Sequence, residues 1–227
     1  MRRIVAMAFV SLDGVMQAPG GPEEDPTGSF RFGGWTAPLF DEATGAAVDE
    51  AFSTPFDLLL GRRTYDIFAA YWPYVPTGPG AEANQGDAAI ARQFNAAKKY
   101  VATHRPDSLT WENSEWLGED VVGRLRALRQ EDGPTLLTQG SSELVHLLLA
   151  NDLVDEIRLL TFPLLLGRGK RFFSDDTRPG ALKLEAARIS QNGIVAARYL
   201  RAGEVATGSF AAPEPSAAEL ERRRTLR

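Results

Sequence analysis

At 227 residues the chain is long enough to bury a proper core, as one large domain or two small ones. Its 44% hydrophobic and 24% charged residues are ordinary for a soluble globular protein. A formal net charge of -5 argues against a general nucleic-acid binder, yet leaves room for a local basic pocket that takes a phosphorylated small molecule. The absence of cysteine removes disulfides, thiolate metal sites and a cysteine nucleophile, and fits a reducing cytoplasm; His104 and His146 are the only histidines, so no metal site is expected.

The N-terminal "MRRIVAMAFVSLDG" has an apolar run that Asp13 ends too early for a signal peptide, so residues 4–12 are read as a first, buried strand closed by a turn at Asp13-Gly14. Residues 18–34 hold Pro, Gly and acids without periodicity and read as a long surface loop suited to a mobile lid. Residues 41–52 fit a helix with acids in its first turn. "DLLLG" is a second strand, "RRTYDIFAAY" the helix after it, and residues 73–87 a second Pro/Gly loop.

A helix at 88–98 then leads to strands at 99–103 and at 109–113, "LTWEN". Apolar residues at 121, 122, 125 and 128 give a helix over 120–131. A strand over 135–140, a helix over 141–152 and a strand over 156–162 follow. "LKLEAARIS" and "GIVAARYLR" read as a hairpin turning at Asn192-Gly193. Alternating strands and helices with an antiparallel finish predict an α/β fold: one mostly parallel central sheet flanked by helices, with antiparallel strands at the C-terminal end. Residues 1–203 form the expected domain, and 204–227 a flexible or helical tail. No segment is long and apolar enough for a membrane span.

Ligands of open α/β sheets sit beyond the carboxyl ends of strands. Gly61 marks such an end, and Arg62, Arg63 and Thr64 open the next helix with two cations and a hydroxyl donor. Solvated arginines beside a tight turn explain this junction at least as well. A second junction, Gln139, Gly140, Ser141 and Ser142, adds hydroxyls and a glycine that admits a ligand close to the backbone; a capped helix explains it equally. A third carries Thr103, His104 and Arg105. Three donor-bearing strand ends could together frame one long phosphorylated ligand, a more specific signal than any one of them. Gly167 and Gly169 make no dinucleotide fingerprint, because no helix follows them; "PLLLGRGKRFF" is read as reaching the active-site rim or a subunit interface. His146 lies in an apolar helical run and reads as packed.

"VSLDG", "LLLGRRTYDIFAAYWP", "KKYVAT", "LTWEN", "LLTQGSSELVHLLLANDLVDEIRLLTFPLLLGRGKRFF" and "GIVAARYL", in that order over about residues 3–201, resemble the dihydrofolate-reductase-like superfamily. More narrowly they resemble the C-terminal reductase domain of the bifunctional riboflavin-biosynthesis deaminase–reductase and its stand-alone bacterial relatives. The resemblance implies NADPH lying across the strand ends. Arg62 then helps hold the 2′-phosphate, Thr64 lies by the pyrophosphate, Thr103 and His104 match an adenosine-phosphate stretch, and Gln139 to Ser142 match the pyrophosphate loop. The "QGSS" sequence departs from the two adjacent glycines common in dihydrofolate reductases. No acid before the second strand has the spacing of the carboxylate those enzymes use, so no catalytic residue is assigned.

Asp13 is placed beside the expected nicotinamide site, where it either binds substrate or makes the turn, the turn being slightly favoured. Trp35 either covers or stacks in the substrate pocket, or packs under a loop, the commoner arrangement. The expected function is an NADPH-dependent reductase of a small planar heterocycle or carbonyl/imine compound in the cytoplasm, with a homodimer compatible with the family. A non-catalytic NADP(H)-binding or sensing module is the alternative.

Overall fold

The computed structural model describes residues 1–78, 85–210 and 214–226. Eight strands form one sheet, β1 (Ile4–Ser11), β2 (Phe56–Gly61), β3 (Lys99–Ala102), β4 (Ser114–Trp116), β5 (Thr135–Gln139), β6 (Glu156–Phe162), β7 (Leu182–Ile189) and β8 (Val195–Arg201), in the order β4-β3-β2-β5-β1-β6-β8-β7. β1 to β6 run parallel and β8 turns antiparallel to β6, with β7 antiparallel at the edge. The α-helices among the described residues are α1 (Glu42–Phe52), α2 (Arg62–Ala69), α3 (Gln85–Ala96), α4 (Val121–Gln130), α5 (Ser142–Ala150) and α6 (Ala217–Thr225).

The central strands are apolar on both sides because both sides are covered. Side chains alternate along a strand with a period of two. Val5, Met7, Leu58 and Leu60 therefore join α1, α2 and α3 in one core through Phe52, Tyr65 and Phe94. Ile4, Ala6, Ala8 and Leu59 join α4 and α5 in the other through Leu125, Leu128, Val145 and Leu148. Continuous apolar runs are the signature of such doubly covered parallel strands. Arg2 is buried at the N-terminal end of the sheet, where it pairs with Asp57 and donates to the Pro134 carbonyl (2.7 Å) and the Tyr100 hydroxyl (3.1 Å).

One expectation changes. "LTWEN" is a turn; the strand is the next three residues, Ser114–Trp116. Asn113 takes a left-handed φ of 59°, which breaks the extended run, and Tyr65 Oη holds the Trp111 amide at 2.8 Å. The loop over 18–34 is folded as a wall through its own hydrogen bonds. Gln17 Nε2 donates to the Asp25 and Thr27 carbonyls (both 2.9 Å), the Gly34 amide to Ala18 (2.9 Å) and the Thr36 hydroxyl to Pro19 (2.7 Å). A Cβ on Gly33 would stand 2.5 Å from the Gly21 carbonyl oxygen, so only glycine permits that close approach. The middle of the second Pro/Gly loop, 79–84, lies outside the described residues.

The C-terminal hairpin turns through residues 190–194, with Gly193 at φ 80° and its amide on the Ser190 carbonyl (3.1 Å). Asn192 docks its tip on the Leu39 carbonyl (2.9 Å) and on Asp41, the N-cap of α1. Every position of β7 is exposed, and the β7–β8 ladder shifts register between Leu184 and Ala186. Beyond β8, α6 is capped by Ser216 and buries no residue.

Candidate functional site

One cleft of about 1020 Å³ opens at the carboxyl ends of β1, β2 and β5. It is lined by Gly61, Arg62, Arg63 and Thr64 from the first junction and by Gln139, Gly140, Ser141 and Ser142 from the second. Arg105 joins them from the third. A volume of this size is at the top of the range for small-molecule sites.

The two junctions are tied to each other. Ser141 Oγ accepts the Gly61 amide at 2.8 Å, and a Cβ on Gly61 would meet Ser141 at 3.0 Å. Ser141, at φ 61°, thus caps neither helix with its side chain, and neither α2 nor α5 has a side-chain cap at its N-terminus. The first amides of a helix have no intrahelical partner and carry the positive end of its dipole. Two such ends therefore meet at one cleft wall. Gly140, at φ 92°, has only the Thr64 side chain within 4 Å of its Cβ direction, which leaves its backbone open to close approach.

The arginines divide their work. Arg62 pairs with Asp66, donates to Ser108 Oγ (2.7 Å) and to the Arg105 carbonyl (3.3 Å), and lies over the Tyr65 ring. Arg105 reaches the same Asp66 at 3.4 Å, so two guanidinium groups share one carboxylate. Arg63 turns to the loop, where it meets Asp25 at 3.1 Å. Thr103 and His104 do not line the cleft. Thr103 is buried, its hydroxyl accepting the Arg105 amide (3.0 Å) and its carbonyl accepting Trp116 Nε1 (2.9 Å); His104 is exposed. Thr103 fixes the turn that presents Arg105.

Asp13 and Trp35 also stand outside the cleft lining. Asp13 accepts from Ser11 Oγ (2.6 Å) and from the Leu166 and Gly167 amides (3.1 and 2.8 Å), stapling the 13–14 turn to the segment after β6. Burial works to raise its pKa, and these donors more than reverse that, leaving it lowered. Trp35 is 7% exposed, donates to the Gln17 carbonyl at 2.8 Å and meets Phe162 edge to face at 5.2 Å. His146 bonds the Arg171 carbonyl at 2.9 Å.

Four cleft residues carried no sequence signal of their own: Gln17, Glu24, Asp25 and Lys170. Asp25 is nearly buried and pairs with both Lys170 and Arg63, with the Thr27 hydroxyl at 2.5 Å. Burial would raise its pKa, but Lys170 and Thr27 outweigh that and hold it below the usual carboxylate value. Glu24 behaves oppositely. Burial pushes its pKa up although one carboxylate oxygen accepts the Gly20 and Gly21 amides at 2.6 and 3.2 Å. The cleft thus holds one carboxyl biased toward its proton and another biased against it, a separation that suits acid–base work. Within the described residues no group of His, Cys, Asp or Glu side chains could hold a metal ion, and no helix is long and apolar enough to cross a membrane.

Residues 2–196 match the family model of the RibD C-terminal domain. The chain belongs to that family. Two Bacillus subtilis proteins of uncharacterised role are similar to it: YyaP, 24% identical over 87% of this chain and 94% of its own, and YwjB, 26% identical over 82% and 91%. Among solved structures, a putative riboflavin biosynthesis protein from Shewanella sp. PV-4 superposes with a TM-score of 0.53, at 16% identity and covering 88% of this chain and 99% of its own. A pyrimidine reductase-like protein from Corynebacterium diphtheriae superposes with a TM-score of 0.52, at 14% identity over 89% and 93%. These structures share the RibD C-terminal fold of this chain: a mostly parallel sheet with an antiparallel C-terminal end.

Proposed function

We propose that the protein is an NADPH-dependent reductase acting on a small planar heterocycle or a carbonyl/imine compound. The meeting of two helix N-termini without side-chain caps, beside the Arg62–Arg105 pair, carries this reading. A helix N-terminus suits phosphate, and an arginine fork suits the phosphate dianion that distinguishes NADPH from NADH. The donor set fits the cofactor: Arg62 and Arg105 would hold the 2′-phosphate, while Thr64, Ser142 and the first amides of α5 would hold the pyrophosphate. When bound, NADPH supplies the hydride. The RibD family and its pyrimidine reductase-like neighbour support the same class of reaction.

The chain supplies position, dryness and a proton. Gly140 admits the ligand against the backbone. The 18–34 wall, held through Asp25 by Arg63 and Lys170, keeps water from one side of the cleft. Glu24 is the proposed proton donor, since it lines the cleft and burial favours its neutral form. Isothermal titration with NADPH and NADH, paired with NADPH oxidation across pterins, flavin precursors and quinones, tests the reading. Preference for NADPH with turnover of one panel member is expected. Equal affinity for the two cofactors removes the 2′-phosphate assignment, and binding without turnover of any acceptor leaves a non-catalytic NADP(H)-binding module.

A further inference from the structure

The cleft is electrically lopsided along α2. Arg62 and Arg63 stand at its start, Ile67 and Phe68 farther along, and Tyr71 just past its end. At 1.5 Å per residue the two ends lie about 13 Å apart. All four cations of the lining sit at the first end: Arg62 and Arg105 on Asp66, Arg63 and Lys170 on Asp25. The apolar lining includes Phe9, Phe40, Val48, Phe68, Trp72 and Ile90, with Phe9 against Phe40 and Phe68 against Trp72. Its rim carries the Tyr71–Asp87 hydrogen bond of 2.8 Å. Phe40 and Tyr71 remain 44% and 48% exposed although they line a concavity, so this end offers uncovered aromatic surface.

We propose that this aromatic end receives a planar ring molecule bearing no phosphate or carboxylate, with ring amines favoured near the Asp87 rim. The proposal rests on reading the cationic end as the cofactor site, and so names the substrate class of that reductase. The sequence has no lysine or arginine from 32 to 61 or from 64 to 91, the stretches that supply α1, the rest of α2 and the start of α3. Arg92, the next cation, donates to the Thr77 carbonyl (3.2 Å) and does not line the cleft. The N-terminus of α3 is no substitute, because Asp87 lies in its first turn and repels an anion there. A phosphate placed at this end would lose water without gaining a counter-charge, an expensive exchange. Flat rings instead gain edge and face contacts with Phe68 and Trp72.

The test uses the full-length protein and matched probes: riboflavin against its 5′-phosphate, and pyridoxamine against pyridoxamine 5′-phosphate. Affinities are read by tryptophan quenching with NADP⁺ present at saturation, NADP⁺ binding itself being titrated first. The unphosphorylated member of at least one pair should bind about tenfold tighter or more, a gap that is ~1.4 kcal/mol. Asp87→Lys should shrink or reverse that gap, with thermal melts confirming that the variant folds. Equal or tighter binding of the phosphorylated members to the unsubstituted protein overturns the proposal. So does failure of both unphosphorylated rings to bind at about 1 mM, the weakest affinity that counts as a site here. Failure of NADP⁺ to bind overturns the cofactor reading by itself, whereas NADP⁺ binding with a preference for phosphorylated rings overturns this proposal alone.

Discussion

Replacing Arg62 with alanine should cost NADPH far more affinity than NADH. The side chain is 21% exposed and holds its fork between Asp66 and Ser108, so its donors are already aligned at the cleft edge. A charge-assisted hydrogen bond contributes about 1.5–3 kcal/mol. That corresponds to a loss of about 10- to 150-fold for NADPH. NADH lacks the 2′-phosphate and should change by less than about threefold, the scale of a lost exposed ion pair. Asp66→Asn supplies the reciprocal arm. Asp66 competes with any phosphate for both Arg62 and Arg105, and it is half exposed, so its removal should strengthen NADPH by about 0.5–1 kcal/mol, or two- to fivefold. Arg63→Ala is the control, since that arginine is committed to Asp25. Isothermal titration at fixed ionic strength measures all three, with thermal melts showing that the variants remain folded. An equal loss for NADH, or the NADPH-selective loss appearing in Arg63→Ala alone, would refute the assignment.

Glu24→Gln should lower kcat by about 10²-fold or more with little change in KM, the scale of a lost general acid. In the unsubstituted protein activity should fall as pH rises through the raised Glu24 pKa, and this limb should vanish in the variant; an unchanged profile rejects the role. Lys99 is fully buried, donates to the Asn95 and Glu112 carbonyls at 2.9 Å each, and has its pKa lowered by burial from 10.5 to about 8. Between those values the unfolded chain binds more protons, so stability rises with pH, by about 3 kcal/mol at ~1.4 kcal/mol per pKa unit. Lys99→Met should abolish that rise in urea melts at pH 7 and 10, and parallel slopes for the two proteins would contradict it. Asp57→Ala strands the Arg2 charge in the core and should cost about 3–5 kcal/mol; a urea midpoint nearly unmoved would show the pair to be dispensable. Gly33→Ala forces the 18–34 wall apart and should cost about 1–3 kcal/mol and weaken NADPH together; an unaltered melt would mean that the loop yields freely.

The strands and the junctions were readable because each is a local pattern. An apolar run ending in glycine, followed by hydroxyls or arginines, identifies Gly61 and Gly140 without knowledge of the fold. "LTWEN" misled because its composition is strand-like while its conformation is set elsewhere, by Tyr65 from α2 and by the left-handed Asn113. The loop wall was invisible for a related reason. Lys170 and Asp25 meet across 145 residues of sequence, and Lys170 and Gln17 across 153. Acids inside a Pro/Gly loop and a lysine after Gly-x-Gly are the only traces such a contact leaves in one sequence. His104 and Arg105 show the limit at single-residue scale: neighbours on one turn, of which only the second lines the cleft.

The far edge of the sheet is a different kind of boundary. β7 offers eight consecutive exposed positions, with Leu182, Leu184 and Ile189 at 44%, 52% and 75% exposure, a ready template for adding another strand. The register shift at Leu184 to Ala186 breaks the regular spacing an incoming strand would have to match, and Lys183, Glu185 and Arg188 put charges in its path. The antiparallel hairpin therefore ends the sheet on a strand whose irregular ladder and charged side chains disfavour the regular pairing of one strand more.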